Sequence, residues 1–392
     1  MTLKRVVVVV LALYLSVVVV IVFRISSSDD DNHRNYSVVE VETTTGLYIP
    51  ENVEELIAKA NSEQRIYNEN LYGDTIELVV VVQVHRRPLY LQQLINSLEN
   101  TPSINKTLLI FSHDWVDPNI THIVQSVKFA KVLQIFYPFS LQTHPEDFPG
   151  PDVNDCVTED EKLVPECPNF DFRDTYGKFR NASVAQIKHH WWWKANFVFK
   201  EVKILNDYTG LVLFVEEDHY LAPDFIHCLS LMRKTCRYYC PNCWFLSLGV
   251  RNRVNFGLYS DWVGIQNTVE NSGLAFNRTI WNEVSKYRED FCQFDDYNWD
   301  WSLKNVFRNV PGETSSMVMV ASRVYHVGSC GTHSDGEICD PTELIQDFKN
   351  RQTNLFPDSF YVTFDNNQEI VDRSRPNGGW GDPRDHELCM KM

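Results

Sequence analysis

Leu211-Val212-Leu213-Phe214-Val215, followed at once by Glu216-Glu217-Asp218-His219, is the stretch whose reading decides the fold. An apolar run rich in β-formers that ends in three carboxylates reads as a fully buried strand whose carboxyl end opens on a ligand crevice. Anions crowded at such a tip call for a cation, and hard oxygen ligands suit Mg²⁺ or Mn²⁺, the ions that accompany phosphates. A solvated acidic turn is the plain alternative. The flanking segments argue against it, because they supply further strands and cationic partners.

Upstream, Ile76 to Val84 (IELVVVVQV) reads as a second buried strand, followed by His85-Arg86-Arg87-Pro88 and a helix with apolar spacing at Leu91, Leu94, Ile95 and Leu98. Thr107 to Ser112 gives a strand ending in His113-Asp114, and Val132 to Phe136 gives another. This alternation predicts an α/β fold, a mostly parallel central sheet with helices on both faces and ligands at the strand carboxyl ends. Neither Gly-X-Gly-X-X-Gly nor Gly-X-X-X-X-Gly-Lys-Ser/Thr occurs, so a phosphate must be met by other groups. The candidates are His85, Arg86 and Arg87 at one strand tip, and Lys188-His189-His190 before Trp191-Trp192-Trp193. Each could equally be a surface charge cluster.

Downstream, a helix from Pro223 to Lys234 and a strand from Trp244 to Leu248 precede Asp295-Asp296-Tyr297-Asn298-Trp299-Asp300-Trp301. Tryptophan faces suit the apolar side of a sugar, and a carboxylate between them can accept a hydroxyl proton. A core tryptophan pair beside solvated acids is the competing reading. Ser322 to Val327 forms a late strand whose His326 could be a metal imidazole or a structural histidine.

The chain has 392 residues, 44% hydrophobic, with a net charge of -16. That charge argues against nucleic acid as a partner. Val6 to Phe23 is an 18-residue aliphatic run after Lys4 and Arg5, long enough at roughly 27 Å to span a thin bilayer. It reads as a signal-anchor, with residues 1–5 cytosolic, 6–23 in the membrane, 24–73 a polar lumenal stem and 74–392 the catalytic domain. The end of the stem, near Val53 to Asn68, has helical spacing and could pack on the domain. Five sequons, at Asn35, Asn105, Asn119, Asn181 and Asn277, and ten cysteines suit a lumenal chain. Close spacing pairs Cys156 with Cys167, Cys240 with Cys243 and Cys330 with Cys339.

Gln83-Val84-His85-Arg86-Arg87-Pro88, Ser112-His113-Asp114, Gln186 to Lys194 (QIKHHWWWK), Glu216 to Phe225 (EEDHYLAPDF), Asp295 to Trp301 and Gly378 to Cys389 together resemble the N-acetylglucosaminyltransferase II family. The resemblance covers nearly everything after residue 73. It implies a GT-A type nucleotide-sugar transferase fold in a Golgi type II membrane enzyme, with UDP-GlcNAc as donor and Mn²⁺ as cofactor. The implied reaction moves GlcNAc with inversion to O2 of the α1,6-linked mannose of an N-glycan on a glycoprotein. Carried over by motif, Gln83, Val84, His85, Arg86, Arg87, Asp114, Gln186, Ile187, Lys188, His189 and His190 would hold the donor, joined by Asn271 and by either Arg251 or Arg253. Asp218 and His326 would hold the metal, Asp300 would be the base, and Cys292 would pair with Cys389. Cys228 and Cys236 have no family partner and either pair or stay free. A homo-oligomer is among the states it admits. The nearest alternative is a β1,2-GlcNAc transferase acting on the α1,3-arm mannose, and a lumenal lectin is the rival from another class.

Overall fold

Side chains branched at Cβ favour extended backbone, and Val79 to Val82 form the middle of a ten-stranded sheet in which all four are fully buried. The computed structural model describes residues 52–73, 75–157, 162–250, 256–257, 259–331, 334–335, 340–364 and 377–392. The anchor at 6–23, Asn35, Arg251, Arg253 and Cys339 lie outside them, so the expected Cys330–Cys339 pair does too. Among the described residues no helix is long and apolar enough to cross a membrane.

The first part of the chain runs α1 (Val53–Glu63), β1 (Ile66–Tyr67), β2 (Leu78–Val84), α2 (Pro88–Glu99), β3 (Thr107–His113), α3 (Pro118–Gln125) and β4 (Lys131–Phe136). After α4 (Ala182–Lys200) come β5 (Val212–Glu216), β6 (His219–Leu221), α5 (Phe225–Tyr239), β7 (Cys243–Ser247), β8 (Trp262–Gln266) and β9 (Leu274–Phe276). Helices α6 (Arg278–Lys286), α7 (Arg288–Cys292) and α8 (Trp299–Asn309) follow. The chain ends with β10 (Ser315–Met319), β11 (Val324–His326), β12 (Cys330–Gly331), β13 (Ser334–Asp335), α9 (Thr342–Arg351), β14 (Tyr361–Phe364) and α10 (Pro383–Lys391).

The strand order is β1-β4-β3-β2-β5-β9-β7-β10-β8-β14. The block β4-β3-β2-β5 is parallel, and β9 joins β5 and β7 antiparallel. From β2 the chain moves outward to β3 and β4, then returns to place β5 on the other side of β2. That reversal opens a crevice at the carboxyl ends of β2 and β5. Registers Gln83↔Ser112 and Gln83↔Glu216 bring the three strand ends level. A separate ladder pairs β11 antiparallel with β6, His326 opposite His219, and so carries a distant histidine to the acidic tip.

Both faces of the parallel block are covered, as the unbroken apolar runs require. Leu78, Val80, Val82 and Val84 pack in a core with Leu91, Leu94 and Leu98 of α2 and Phe225, Leu229 and Met232 of α5. Val79 and Val81 point the other way, into a core with Trp191 and Trp192 of α4, Trp281 of α6 and Trp299 of α8.

One boundary drawn from sequence moves. The polar stretch assigned to the stem enters the fold from Val53: α1 buries Val53 and Ile57 against Phe136, and β1 extends the sheet antiparallel to β4. Asn61 fixes this contact by donating to the Phe136 carbonyl at 2.7 Å and accepting from its N–H at 2.9 Å. The helical spacing read near Val53 to Asn68 is thus an element packed on the domain, polar because an edge element buries only one narrow face. Disulfides join Cys156 to Cys167, Cys240 to Cys243 and Cys292 to Cys389, whereas Cys228 and Cys236 stay free.

Candidate active site

Helix α4 starts at Asn181, whose side chain accepts from the N–H groups of Ser183 and Val184 as an N-cap. Residues four apart share a helix face, so Gln186, His190 and Lys194 form one stripe, and it lies along the strand ends. Gln186 Nε2 donates to Asp114 Oδ2 at 3.1 Å, His190 Nε2 meets Ser112 Oγ at 2.8 Å, and Lys194 Nζ donates to Gln83 Oε1 at 2.7 Å. Burial pulls the Lys194 pKa down to about 7, against the opposing pull of the Glu216 and Asp114 carboxylates.

Asp114 is the hub of this floor. His85 Nδ1 lies 2.7 Å from its Oδ1, and His190 Nδ1 lies 3.7 Å from its Oδ2. Burial would raise the Asp114 pKa, but His85 and His190 hold it far below the carboxylate range. The Asp114 charge in turn raises the His85 pKa. Arg86 lies over the Trp115 ring, 4.2 Å from its centroid. Val84 is fully buried in the core, and its carbonyl accepts from the Asp114 N–H at 3.2 Å.

At the acidic tip the three carboxylates divide their work. Glu217 is buried, accepting from His85 N–H at 2.7 Å and from Arg87 Nε at 2.6 Å, and burial lifts its pKa to about 6. Arg87 reaches on to Asp218 Oδ2 at 2.8 Å, and His326 Nε2 lies 3.3 Å from the same oxygen. Burial would raise the Asp218 pKa, yet His326 and Arg87 hold it well below the usual value. One aspartate oxygen, Oδ1, is buried without a hydrogen-bond partner among the described residues.

These groups fit a divalent cation. A carboxylate paired with an imidazole is a donor set that Mn²⁺ accepts, and the Asp218 Oδ1 has no hydrogen-bond partner among the described residues. A Cβ at Gly328 would stand 2.5 Å from Asp218 Oδ2 and 3.1 Å from His326 Nε2, so glycine keeps the space beside both atoms open. Glu216 and His219 add to the set: with Asp218, they bring one ligand atom each within 4.8 Å of one another. The sequence reading counted Glu216 among the carboxylates that call for a cation but named only Asp218 and His326 as ligands, and it missed His219.

Across the crevice, Asp300 lies half-buried in the first turn of α8. Its Oδ2 accepts from Asn271 Nδ2 at 3.2 Å, and its Oδ1 accepts from the Trp301 N–H at 3.0 Å. A helix N-terminus favours an anion, but burial outweighs this and lifts the Asp300 pKa to about 6, with Asp296 and Glu216 adding to the rise and Lys304 opposing it. The neighbouring acids are structural. Asp296 is buried and accepts from the N–H groups of Asn298 and Asn377 at 2.7 and 2.6 Å, while Asp295 accepts from the Thr175 N–H at 2.7 Å.

Two expectations change here. Trp299 is no sugar platform: it is buried and stacks on Trp191 with centroids 4.5 Å apart and planes 2° from parallel, leaving only Trp301 partly exposed. Lys188 and His189 take partners away from the strand ends: Lys188, two positions on from Gln186, lies on the other side of the helix, and His189 stands on the flank against which α10 packs. Lys188 Nζ donates to the carbonyls of Phe294 and Asp296 at 3.0 Å each, and His189 Nε2 lies 2.9 Å from Asp385 Oδ1 on α10. Ile187 packs half-buried beside the same tryptophan-rich core. The structure thus gathers Gln83, His85, Arg87, Asp114, Gln186, His190, Asp218 and His326 around the strand ends, with Asp300 facing them.

A mostly parallel sheet with this crevice, a carboxylate-imidazole pair at the tip of β5 and the half-buried Asp300 carboxylate fits a GT-A type nucleotide-sugar glycosyltransferase. Within that class, the chain belongs to the N-acetylglucosaminyltransferase II (MGAT2) family, whose model matches residues 54–389. The alpha-1,6-mannosyl-glycoprotein 2-beta-N-acetylglucosaminyltransferases of Rattus norvegicus and Homo sapiens are 41% and 40% identical to it, over 85% of this chain and 78% of each relative. The protein of that name from Arabidopsis thaliana is 30% identical over 82% of this chain and 76% of its own length.

Proposed function

We infer that this chain transfers N-acetylglucosamine from UDP-GlcNAc to O2 of an α1,6-linked mannose on a glycoprotein N-glycan, forming a β linkage with inversion. The observation that carries the mechanism is Asp300, a half-buried carboxylate with a pKa lifted to about 6, held by Asn271 and within electrostatic reach of Glu216 at the acidic tip. A base with that pKa is ionised at neutral pH yet basic enough to share a hydroxyl proton in the transition state.

The donor lies against the strand ends, where Arg87 offers a cation and the Asp114 hub fixes His85 and His190. Asp300 takes the proton from mannose O2 as that oxygen attacks the anomeric carbon on the face opposite UDP. One bond forms as the sugar–phosphate bond breaks, and the electron pair leaves with UDP. Mn²⁺, held by Asp218 and His326, would neutralise the departing diphosphate.

The same reading puts the enzyme in the Golgi membrane, anchored by Val6 to Phe23 with its catalytic domain lumenal. Three disulfides and the sequons support an oxidising, secretory compartment. The test is to incubate the purified chain with UDP-GlcNAc and N-glycans bearing a free α1,6- or α1,3-linked mannose. Transfer to the α1,6 arm is expected. Transfer to the α1,3 arm alone would favour the other transferase, and UDP-independent glycan binding without transfer would favour the lectin.

A further inference from the structure

Lys194 is a fully buried lysine that the mechanism leaves unused. Burying an ammonium is costly unless it is paired, and its one hydrogen bond to another side chain among the described residues goes to Gln83 Oε1 at 2.7 Å. In its ammonium form a lysine carries donors and no acceptor, and it is the carbonyl end of the Gln83 amide that faces it. The Gln83 –NH₂ is thereby left to point elsewhere, and Nε2 has no partner among the described residues. Gln83 is half-buried and level with Ser112 and Glu216, at the centre of the crevice floor.

We propose that Lys194 is a positioning residue for the donor site, locking Gln83 with its –NH₂ turned to the crevice, where it donates to an acceptor oxygen of the bound nucleotide. The proposal rests on the nucleotide-sugar reading above. Lys194 also sits two turns along the stripe from Gln186, so α4 fixes both Asp114 and Gln83 from behind. Were Lys194 only a filler, a methionine of similar length would serve as well. With methionine there, the amide loses its fixed sense and can present its carbonyl to an anionic ligand.

The test is calorimetric titration of UDP with Mn²⁺ into the wild-type chain, Lys194→Met, Gln83→Ala, the double variant and Gln83→Glu, with donor KM and kcat measured beside it. Lys194→Met and Gln83→Ala should each weaken UDP by about tenfold, the scale of one hydrogen bond. The double variant should be no weaker than Gln83→Ala, since both changes remove one interaction. In Lys194→Met the donor KM should rise by more than kcat falls. Gln83→Glu keeps a partner for Lys194 but offers the crevice no N–H, and should lose UDP affinity to the same degree. This variant keeps the test open should Lys194→Met fold poorly. Additive losses, or full UDP affinity in Gln83→Glu, would overturn the proposal alone. Absence of UDP binding by the wild-type chain would overturn the donor reading and this proposal with it.

Discussion

Asn271 Nδ2 donates to Asp300 Oδ2 across 3.2 Å, tying the turn before β9 to the first turn of α8. With the Trp301 N–H on the other carboxylate oxygen, the bond fixes the orientation of the group. Loss of a general base costs about 10²- to 10⁴-fold in rate. Asp300→Asn should therefore lower kcat by that order with UDP affinity nearly intact, and Asn271→Ala should give a smaller loss in the same direction. Asp300→Asn retaining more than roughly a tenth of wild-type kcat would move the role to another residue.

The same carboxylate sets a pH dependence. Burial lifts the Asp300 pKa to about 6, so kcat should fall as the pH drops through that value. The stability effect has the opposite sign: with a raised folded pKa, ionisation destabilises the fold above pH 6, and the penalty disappears below the unfolded aspartate value near about 4. Asp300→Asn should thus melt at or above the wild-type temperature at pH 7.5 and lose that advantage at pH 4. Melting curves at the two pH values check it.

Asp218 and His326 are expected to carry the metal, whereas Glu217 carries Arg87 and the His85 N–H. Asp218→Asn and His326→Ala should abolish Mn²⁺ binding read directly by titration of the metal alone. Glu217→Gln should chiefly cost stability, on the order of 1–3 kcal/mol for a disturbed buried hydrogen-bonding group. Unchanged Mn²⁺ affinity in His326→Ala would remove that residue from the coordination set.

Much of the site was legible because its parts are short motifs at strand ends. Apolar runs gave the strands β2, β3 and β5, and the residue after each run had to be Gln83 to Arg87, Asp114 or Glu216 to Asp218. What stayed hidden depends on which way a helix face turns or on distant partners. Nothing in KHHWWWK separates Lys188 from Lys194 until α10 packs on one side of α4 and the strand ends on the other. Likewise, Arg180 is buried between Asp155 at 2.9 Å and Asp385 at 2.9 Å, an ion network joining residues more than 200 positions apart for the second pair. The tryptophan at 299 looked like a sugar surface because its stacking partner, Trp191, is more than 100 positions away in the chain.

That ion network predicts acid sensitivity. Burial would raise the Asp385 pKa, but Arg180 and His189 hold it below the ordinary value, so its stabilising effect is full above about pH 4 and lost as the pH falls through the depressed pKa. Asp385→Ala leaves Arg180 with Asp155 alone and His189 Nε2 without its carboxylate, and should destabilise the fold by about 1–3 kcal/mol near neutrality. Denaturant unfolding at pH 7 measures this, and a loss under about 1 kcal/mol, the scale of an exposed pair, would contradict it.

The edge elements set where the chain can be cut. A chain starting at residue 52 should fold and remain active, because α1 and β1 are kept. One starting at residue 74 loses the burial of Val53 and Ile57 on Phe136, on the order of 3–6 kcal/mol. Equal melting temperatures for the two would show that α1 contributes nothing.

The most direct measurement is the linkage formed when the purified chain is given UDP-GlcNAc and an N-glycan whose α1,6-linked mannose is free, read by nuclear magnetic resonance of the product. A single GlcNAc joined β1,2 to that mannose is the expected result. An α-configured product, or GlcNAc found only on the α1,3 arm, would contradict it.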